Sequence, residues 1–364
     1  MRLDLDVAVV GGGIAGVSVA GELSGEAGLR VAVLERESQL GYHASGRSAA
    51  AFLESYGSPE IRALTRASRA TLASAGLLNP RPLLVLATAG STERLAGLVA
   101  TEPTLRQASQ DEVRALCPAI RPGWAALAAI EDGAQDLDVA GLLEHYRRRA
   151  VTGGVTVHTG ASILDGSRKG EHWLLNTTIG EVRAATVVDA AGAWADDVAR
   201  RCGVPMLGLR PLRRTIAIVG ATPAARSWPL VVDIDDHFYF RPEGDGLLIS
   251  PADETPSEPA DARPQTEDVA LALARVNEAT SLGLRQVRTS WAGLRTFSPD
   301  RNPVVGFGAE GFLWLAGQGG YGMQTAPAMA AFAAASVLAR PTPADLASLS
   351  PRTLAALQPA RLHA

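Results

Sequence analysis

Apolar residues near the N-terminus form two continuous runs, separated by three glycines and a helical pattern. In segment 5–24, LDVAVVGGGIAGVSVAGELS, a strand-like run stops at the glycines and apolar residues then resume at helical spacing. Segment 30–37, RVAVLERE, is the second apolar run and ends in acidic residues. Runs of this length without polar alternation predict buried strands. The order predicts strand, tight turn, helix and strand, as in a nucleotide-binding unit.

The rest of the chain alternates between helical and strand-like patterns. Ser109 and Glu112 form a capping box that predicts a helix start, and Asp138 is the predicted cap of the next helix. The polar segment PADETPSEPADARP (251–264) predicts the most mobile loop. Helices are predicted at 58–76, 109–116, 139–150, 266–279 and 326–339, strands at 81–88, 155–166, 172–177, 214–220, 237–242, 247–251, 303–307 and 312–317, and strand, glycine turn and helix within 185–200.

The first glycine turn carries a dinucleotide-binding motif. Gly11, Gly13 and Gly16 form GxGxxG between the predicted strand and helix, and Glu35 ends the next strand. The first glycine permits the tight turn, the second lets the backbone approach a pyrophosphate, and the third lets helix and strand pack closely. The acid accepts hydrogen bonds from ribose hydroxyls. A second GxGxxG at 306–311 precedes a strand-like segment, so it is not predicted to bind phosphate.

Further glycine-rich segments favour FAD over NAD as the bound dinucleotide. They are VVDAAGAWA (187–195) and AGQGGYGMQT (316–325), and the second opens the alanine-rich helix. The N-terminus of that helix would stabilise the negative charge of a reduced flavin. Because only one nucleotide-binding unit is found in the right context, we expect resident FAD that receives electrons from a small substrate.

Composition argues against several other classes of site. A net charge of −4 and a pI of about 5.9 do not indicate a nucleic-acid-binding surface. Cys117 and Cys202 are far apart and outside any CxxC, so neither a disulfide framework nor a metal site is predicted. Lys169, the only lysine, lies in a polar turn, whereas a Schiff-base enzyme needs a desolvated lysine.

The N-terminal segment enters a predicted strand at once, so we expect no signal peptide. The apolar stretch 326–339 is too short to span a bilayer. We expect no transmembrane segment and a cytoplasmic monomer or homodimer, peripheral to a membrane if a quinone is the electron acceptor.

Six motifs together resemble the FAD-dependent D-amino acid oxidase family, which includes glycine oxidase and D-amino acid dehydrogenase branches. They are VVGGGIAG, VLERE, GYHASGRSAA, VVDAAGAWA, WAGLRTFSPDRNPVVG and GQGGYGMQTAPAMA, in matching order along the whole chain. The likeness is strongest to the D-arginine dehydrogenase branch. It implies an α/β fold: a glutathione-reductase-like Rossmann FAD-binding domain, interrupted by an α+β substrate domain with a mostly antiparallel sheet. We expect the FAD domain to comprise 1–78, 140–205 and 290–364, and the substrate domain 79–139 and 206–289.

The resemblance implies non-covalent FAD, because neither cysteine lies in a motif that matches covalent attachment. In GYHASGRSAA, small residues would let the backbone pass close to the pyrophosphate and flavin, and Arg47 and Ser48 would meet phosphate or ring oxygens. The implied FAD contacts are Gly11, Gly13, Ile14, Ala15, Gly16, Glu35, Arg36, Ser45, Gly46, Arg47, Ser48, Ala49, Ala161, Ala191, Gly192, Trp194, Gly293, Arg295, Gly319, Gly320, Tyr321, Gly322, Met323 and Gln324.

The same resemblance assigns the substrate contacts. Arg214, Tyr239 and Arg295 match the family's ligands of the substrate carboxylate. Tyr56 matches a tyrosine that covers the active site from a mobile loop, and Gly320 matches a carbonyl that receives the substrate amine.

The residues themselves also single out one of these arginines. Arg295 is a lone guanidinium in an apolar stretch and needs an anion, either a ligand or a structural partner such as Asp300. Arg213 precedes Arg214 on a strand and is expected to face solvent on the opposite side.

The pocket departs from the D-arginine branch at three positions. Leu83, Ala51 and Leu53 stand where that branch has glutamate, histidine and threonine, although Glu54 could supply a replacement carboxylate. A buried cationic side chain without its carboxylate partner is unfavourable. We therefore expect apolar D-amino acids to be oxidised by hydride transfer from Cα to the flavin, giving an imino acid that hydrolyses to a 2-oxo acid and ammonia.

In this mechanism the site residues position the substrate, and no acid–base residue is assigned. Three alternatives stay open: another amine such as glycine or sarcosine, a 2-hydroxy acid, or a non-catalytic flavoprotein. The electron acceptor, O2, a quinone or another, is also open.

Overall fold

The computed structural model describes residues 2–220, 223–343, 346–347 and 349–362. Its strands are β1 (Arg2–Val10), β2 (Val31–Leu34), β3 (Ala51–Phe52), β4 (Leu78–Pro80), β5 (Leu83–Ala87), β6 (Arg106–Ala108), β7 (Leu127–Glu131), β8 (Gln135–Leu137), β9 (Thr156–His158), β10 (Ile163–Lys169), β11 (His172–Thr177), β12 (Gly180–Asp189), β13 (Arg210–Gly220), β14 (Leu230–Asp233), β15 (Tyr239–Glu243), β16 (Gly246–Ser250), β17 (Thr255–Pro256), β18 (Val287–Phe297), β19 (Val304–Ala309), β20 (Phe312–Ala316) and β21 (Gln318–Gly319). Its helices are α1 (Ile14–Leu23), α2 (Pro59–Ser74), α3 (Thr92–Thr101), α4 (Gln110–Leu116), α5 (Val139–Thr152), α6 (Ala195–Arg201), α7 (Thr266–Ala279), α8 (Gly322–Val337) and α9 (Pro351–Ala355).

The first sheet is built around β1 and is mainly parallel. Strands β12 and β2 flank β1 in parallel, β9 adds beside β2, and β20 pairs in parallel with β12. Successive residues of β1 alternate between two cores: Val7 and Val9 pack with α1 and α8, whereas Ala8 and Val10 pack on the face that α6 covers. Burial on both faces explains why this strand reads as a continuous apolar run.

The second sheet is almost entirely antiparallel. Its strand order is β21-β18-β13-β16-β15-β14-β5-β7-β6, and only the β14–β5 pair is parallel. The long strands β13 and β18 pair over nearly their whole length. One mixed sheet with parallel central strands and one mostly antiparallel sheet confirm the predicted fold class, while the proposed domain boundaries stay a prediction.

Several local predictions are confirmed. The Ser109 hydroxyl and the Glu112 carboxylate form the capping box, and Asp138 accepts a hydrogen bond of 2.8 Å from the Gly141 amide. The second GxGxxG lies in the β19–β20 hairpin, with no helix after it.

Within the described ranges, no helix is long and apolar enough to cross a membrane.

The buried cysteines give a direct test of the packing. Burial raises the pKa of the Cys117 and Cys202 thiols to about 12, and only the thiolate attacks electrophiles. We expect neither cysteine to react with 5,5′-dithiobis(2-nitrobenzoic acid) in the folded protein at pH 8, and both to react in guanidinium chloride. Rapid reaction of either thiol in the native state would contradict this packing.

Candidate functional site

One large cavity connects the two sheets. Its volume is about 1290 Å³, and its lining runs from the β1–α1 turn to the arginines of β13 and β18. Pockets for drug-sized ligands occupy roughly 300–1,000 Å³. This cavity therefore has room for a ligand larger than a typical small molecule.

The β1–α1 turn has the close approaches that its glycines permit. Gly11 has φ +105°, and a Cβ atom there would lie 2.5 Å from the Ala190 carbonyl oxygen. A Cβ atom on Gly16 would lie 1.8 Å from the Gly11 carbonyl oxygen, so helix and strand would have to separate. The Ile14 amide at the start of α1 donates to the Ser45 hydroxyl at 2.9 Å. The turn therefore presents a helix N-terminus to the cavity, as phosphate binding requires.

Glu35 closes the same end of the cavity. Its buried carboxylate accepts hydrogen bonds from the amides of Gly12 at 2.6 Å and Glu37 at 2.7 Å. An ionised carboxylate can accept more bonds than these two, so Glu35 can also accept from ribose hydroxyls. Next to it, the Arg36 guanidinium lies 4.6 Å from the centre of the Trp194 ring, and both residues line the cavity.

A second helix N-terminus faces the cavity at α8. Tyr321 is its N-cap and supplies no side-chain hydrogen bond, while Gly322, Met323 and Gln324 line the cavity. The Gln324 amide is held by both backbone groups of Leu53 and by the Thr65 hydroxyl, at 2.8–3.3 Å. The free backbone amides of this first turn supply partial positive charge.

The GYHASGRSAA segment forms a 3-10 turn at Ala44–Arg47. Its Arg47 side chain donates to the carbonyl oxygens of Ala262 and Ala292 at 2.9 Å and pairs with Asp261. Of the predicted FAD contacts, only Gly16 and Gly46 do not line the cavity. A Cβ atom on Gly46 would lie 2.6 Å from the Gly41 carbonyl oxygen, so this glycine closes the turn itself.

The β13–β18 pair brings two arginines to the other end of the cavity. Arg295 lies opposite Leu212, two residues from Arg214, so both side chains leave the same face of the sheet. Arg295 donates to the Tyr56 hydroxyl at 3.2 Å, and the Arg214 guanidinium lies 5.8 Å from the centre of the Tyr239 ring. The predicted substrate residues therefore converge on one region.

Gly320 packs against one of these arginines. A Cβ atom at this position would lie 2.2 Å from the Arg295 Nη2 atom. A larger residue would displace the guanidinium, which is a structural reason for glycine here.

Glu254 is a member of this site that the sequence did not reveal. Its Oε1 atom lies 2.8 Å from Arg301 Nη2, 3.5 Å from Arg214 Nη2 and 3.6 Å from Arg295 Nη1. Burial opposes its ionisation, but the Arg301 hydrogen bond and the charges of Arg295 and Arg214 outweigh this and lower the pKa of Glu254. No local pattern marks Glu254 among the acids of segment 251–264.

The structure corrects the suggested partner of Arg295 and the expected exposure of Arg213. Asp300 does not pair with Arg295; it is held by Arg361 at 2.7 Å. Arg213 does leave the opposite face from Arg214, but it packs against α7 and pairs with Asp268 at 2.8 Å instead of facing solvent. Helix α7 covers that face, a tertiary contact that strand alternation cannot predict.

The wall beside Tyr239 is apolar. Leu53 and Leu83 are buried and half-buried Ala51 lies beside them; the wall consists of Ala51, Leu53, Leu83, Val85, Leu230 and Val232. Glu54 does not line the cavity, because its carboxylate pairs with Arg66 and Arg69. The suggestion that Glu54 replaces the missing glutamate is therefore wrong.

Asp233, Asp235 and His237 place ligand atoms within 4.8 Å of one another near the cavity rim. The Arg94 guanidinium and the Ser91 hydroxyl already contact the Asp235 carboxylate. The positive charge of Arg94 would compete with a metal ion for the Asp235 carboxylate, so we assign no metal ion to these three residues.

A comparison with known protein families identifies the family of this chain. Residues 6–336 match the family model of FAD dependent oxidoreductases called DAO. The chain belongs to the DAO family. This confirms the resemblance at the level of the family and identifies FAD as the cofactor.

The similar proteins have names that refer to different substrates. Mouse mitochondrial dimethylglycine dehydrogenase is 27% identical over 204 residues, covering 49% of this chain but only 23% of the relative's length. Glycine oxidase from Geobacillus kaustophilus superposes with a TM-score of 0.81 at 24% identity, over 96% of this chain and 98% of that chain. L-alpha-glycerophosphate oxidase from Mycoplasma pneumoniae, solved with FAD bound, superposes with a TM-score of 0.82 at 18% sequence identity. The match covers 92% of this chain and 95% of that chain.

The residues of this DAO protein fit FAD. The glycine turn and the two helix N-termini suit the pyrophosphate and the electron-rich edge of the flavin, and Glu35 suits the ribose. These groups belong to the same cavity as the arginines. Bound FAD can thus lie next to an anionic ligand at Arg214 and Arg295.

Replacing Gly16 tests the close backbone approach in the β1–α1 turn. We expect Gly16→Ala to lower the free energy of unfolding by about 1–3 kcal/mol, as overpacking does, and to reduce FAD retention on desalting. Gly25→Ala is the matched control, because a Cβ atom there meets only the Glu22 carbonyl oxygen at 3.9 Å. Equal unfolding midpoints and equal FAD content in the two variants would contradict the close approach.

Proposed function

We propose that this protein oxidises D-amino acids with apolar side chains to imino acids, which hydrolyse to 2-oxo acids and ammonia. The observation that carries the proposal is the placement of Arg214 and Arg295 on one sheet face, beside an apolar wall of the FAD cavity. FAD-dependent oxidation follows from family membership, whereas the amine substrate and its side chain are our inference.

The arginines suit a carboxylate. Arg295 has a side chain that is only 12% exposed, and its Nε atom has no hydrogen-bond partner among the described residues. Charge-assisted hydrogen bonds of this type contribute roughly 1.5–3 kcal/mol each. Tyr56 and Tyr239 flank the two guanidinium groups and restrict where the carboxylate can lie.

The remaining residues hold the reacting carbon in place. We assign the Gly320 carbonyl to the substrate amine, on the family pattern. When bound, FAD would supply the acceptor for the hydride that leaves Cα. Positioning then accounts for most of the rate, because a well-oriented pair of reactants avoids much of the entropic cost of meeting.

The side-chain preference follows from the wall. Leu83 is 3% exposed and Leu53 is 7% exposed, so a cationic substrate side chain here would lose its hydration without gaining a carboxylate partner. The assignment to D-amino acids, instead of L-amino acids, depends on the resemblance to the D-arginine dehydrogenase branch, from which Leu83 departs. Dimethylglycine, named in the mouse relative, is also an amine that carries a carboxylate.

Non-covalent FAD, a cytoplasmic location and a monomeric or dimeric state stay predictions. The electron acceptor stays open between O2, a quinone and another carrier.

Anaerobic reduction of the bound flavin by a substrate panel tests the proposal. We expect D-leucine and D-phenylalanine to bleach the flavin absorbance near 450 nm faster than D-arginine or D-lysine, because the wall is apolar. A wide margin in favour of D-arginine would contradict the role of Leu83.

The same panel separates the alternatives. Reduction by glycine, sarcosine or a 2-hydroxy acid instead would indicate another substrate of the family, and an ammonia assay distinguishes amines from alcohols. A flavin that no compound reduces would indicate a non-catalytic flavoprotein.

A further inference from the structure

Segment 251–264 lines the cavity through Ala252, Glu254, Ala260 and Ala262. At the substrate end, Glu254 meets the three arginines, and the Asp253 carbonyl accepts from Arg214 Nε at 2.8 Å. Farther along the segment, Asp261 and the Ala262 carbonyl oxygen contact Arg47, a predicted FAD contact. Strand β17 within the segment also pairs with β13. The segment therefore forms part of the cavity wall and is held there by polar contacts.

The contacts of Glu254 are unequal. Its 2.8 Å bond to Arg301 has the length of a charge-assisted hydrogen bond, whereas the distances of 3.5 and 3.6 Å to Arg214 and Arg295 exceed it. About a third of the Glu254 side chain, 34%, is exposed, so it can move toward solvent. Arg301 holds it firmly, and the two proposed substrate arginines hold it loosely.

We propose that Glu254 is an internal carboxylate that competes with the substrate for Arg214 and Arg295. The inference depends on the proposed function, since it takes these arginines as the site of the substrate carboxylate. An incoming carboxylate replaces Glu254 at the two loosely held guanidinium groups, and Glu254 stays paired with Arg301. Glu254 thereby weakens the binding of every carboxylate ligand and couples ligand entry to the position of segment 251–264.

The competition predicts a gain of affinity when the charge of Glu254 is removed. Glu254→Gln keeps the size of the side chain but abolishes its negative charge, so Arg214 and Arg295 lose this competing anion. A residue that helped to bind the substrate would give the opposite result on substitution.

The test is a titration of the FAD-loaded protein with benzoate, a carboxylate without an amine to oxidise, followed by the flavin absorbance. We expect the Kd of benzoate for Glu254→Gln to fall by about tenfold relative to the unsubstituted protein. Glu258→Gln is the matched control: it removes the same charge from the same segment, and Glu258 is exposed. Its Kd should stay within about twofold.

Unchanged or weaker binding by Glu254→Gln would overturn the proposal. Glu254→Ala serves as a second variant with the same expected direction if the glutamine variant does not retain FAD. If amino acids reduce the flavin but benzoate affinity does not rise, the inference fails alone. If benzoate affinity rises but no amino acid reduces the flavin, the proposed function fails and competition at the arginines stands.

Discussion

The guanidinium groups of Arg214 and Arg295 lie on the same face of the β13–β18 strand pair, and the charge distribution of the site depends on this arrangement. Arg214 and Arg295 repel each other, and burial of each is unfavourable unless an anion is nearby. Glu254 supplies one negative charge, but its Oε1 atom lies 3.5 Å from Arg214 and 3.6 Å from Arg295. The pair therefore retains a strong preference for an anion, and under the proposed function this preference selects substrates that carry a carboxylate.

The fold places this pair within reach of the cofactor through two glycine-dependent approaches. In the first sheet, Gly11 and Gly16 let the start of α1 come close to β1, so the glycine turn between them faces the cavity. At the other end, Gly320 leaves room for the Arg295 guanidinium just before α8 begins. Both approaches are backbone effects, and a single Cβ atom would disturb either. The oxidising cofactor and the anion site are thus parts of one cavity.

The sequence predicted the parts of the fold that depend on local patterns. The glycine motif, the caps at Ser109 and Asp138, and helix α7 were recognisable because each depends on neighbouring residues. Long-range features were not recognisable. Strand β18 has no clear alternation in VRTSWAGLRTF and was not predicted, although it carries Arg295.

The contacts of Glu254 and Arg213 likewise depend on partners that lie about 40 to 55 positions away. Only the folded chain brings α7 and segment 251–264 to β13. The motifs could identify the cofactor and the arginines, but the charges around the arginines required the tertiary structure.

The affinity of benzoate for an Arg295→Met variant tests the central claim most directly, with Arg213→Met as the control from the opposite face of the sheet. Loss of a charge-assisted pair should raise the Kd at least about tenfold in Arg295→Met, with FAD still bound. The Arg213→Met variant should bind benzoate like the unsubstituted protein. Equal affinities of the two variants would show that the carboxylate binds elsewhere and would contradict this account of the site.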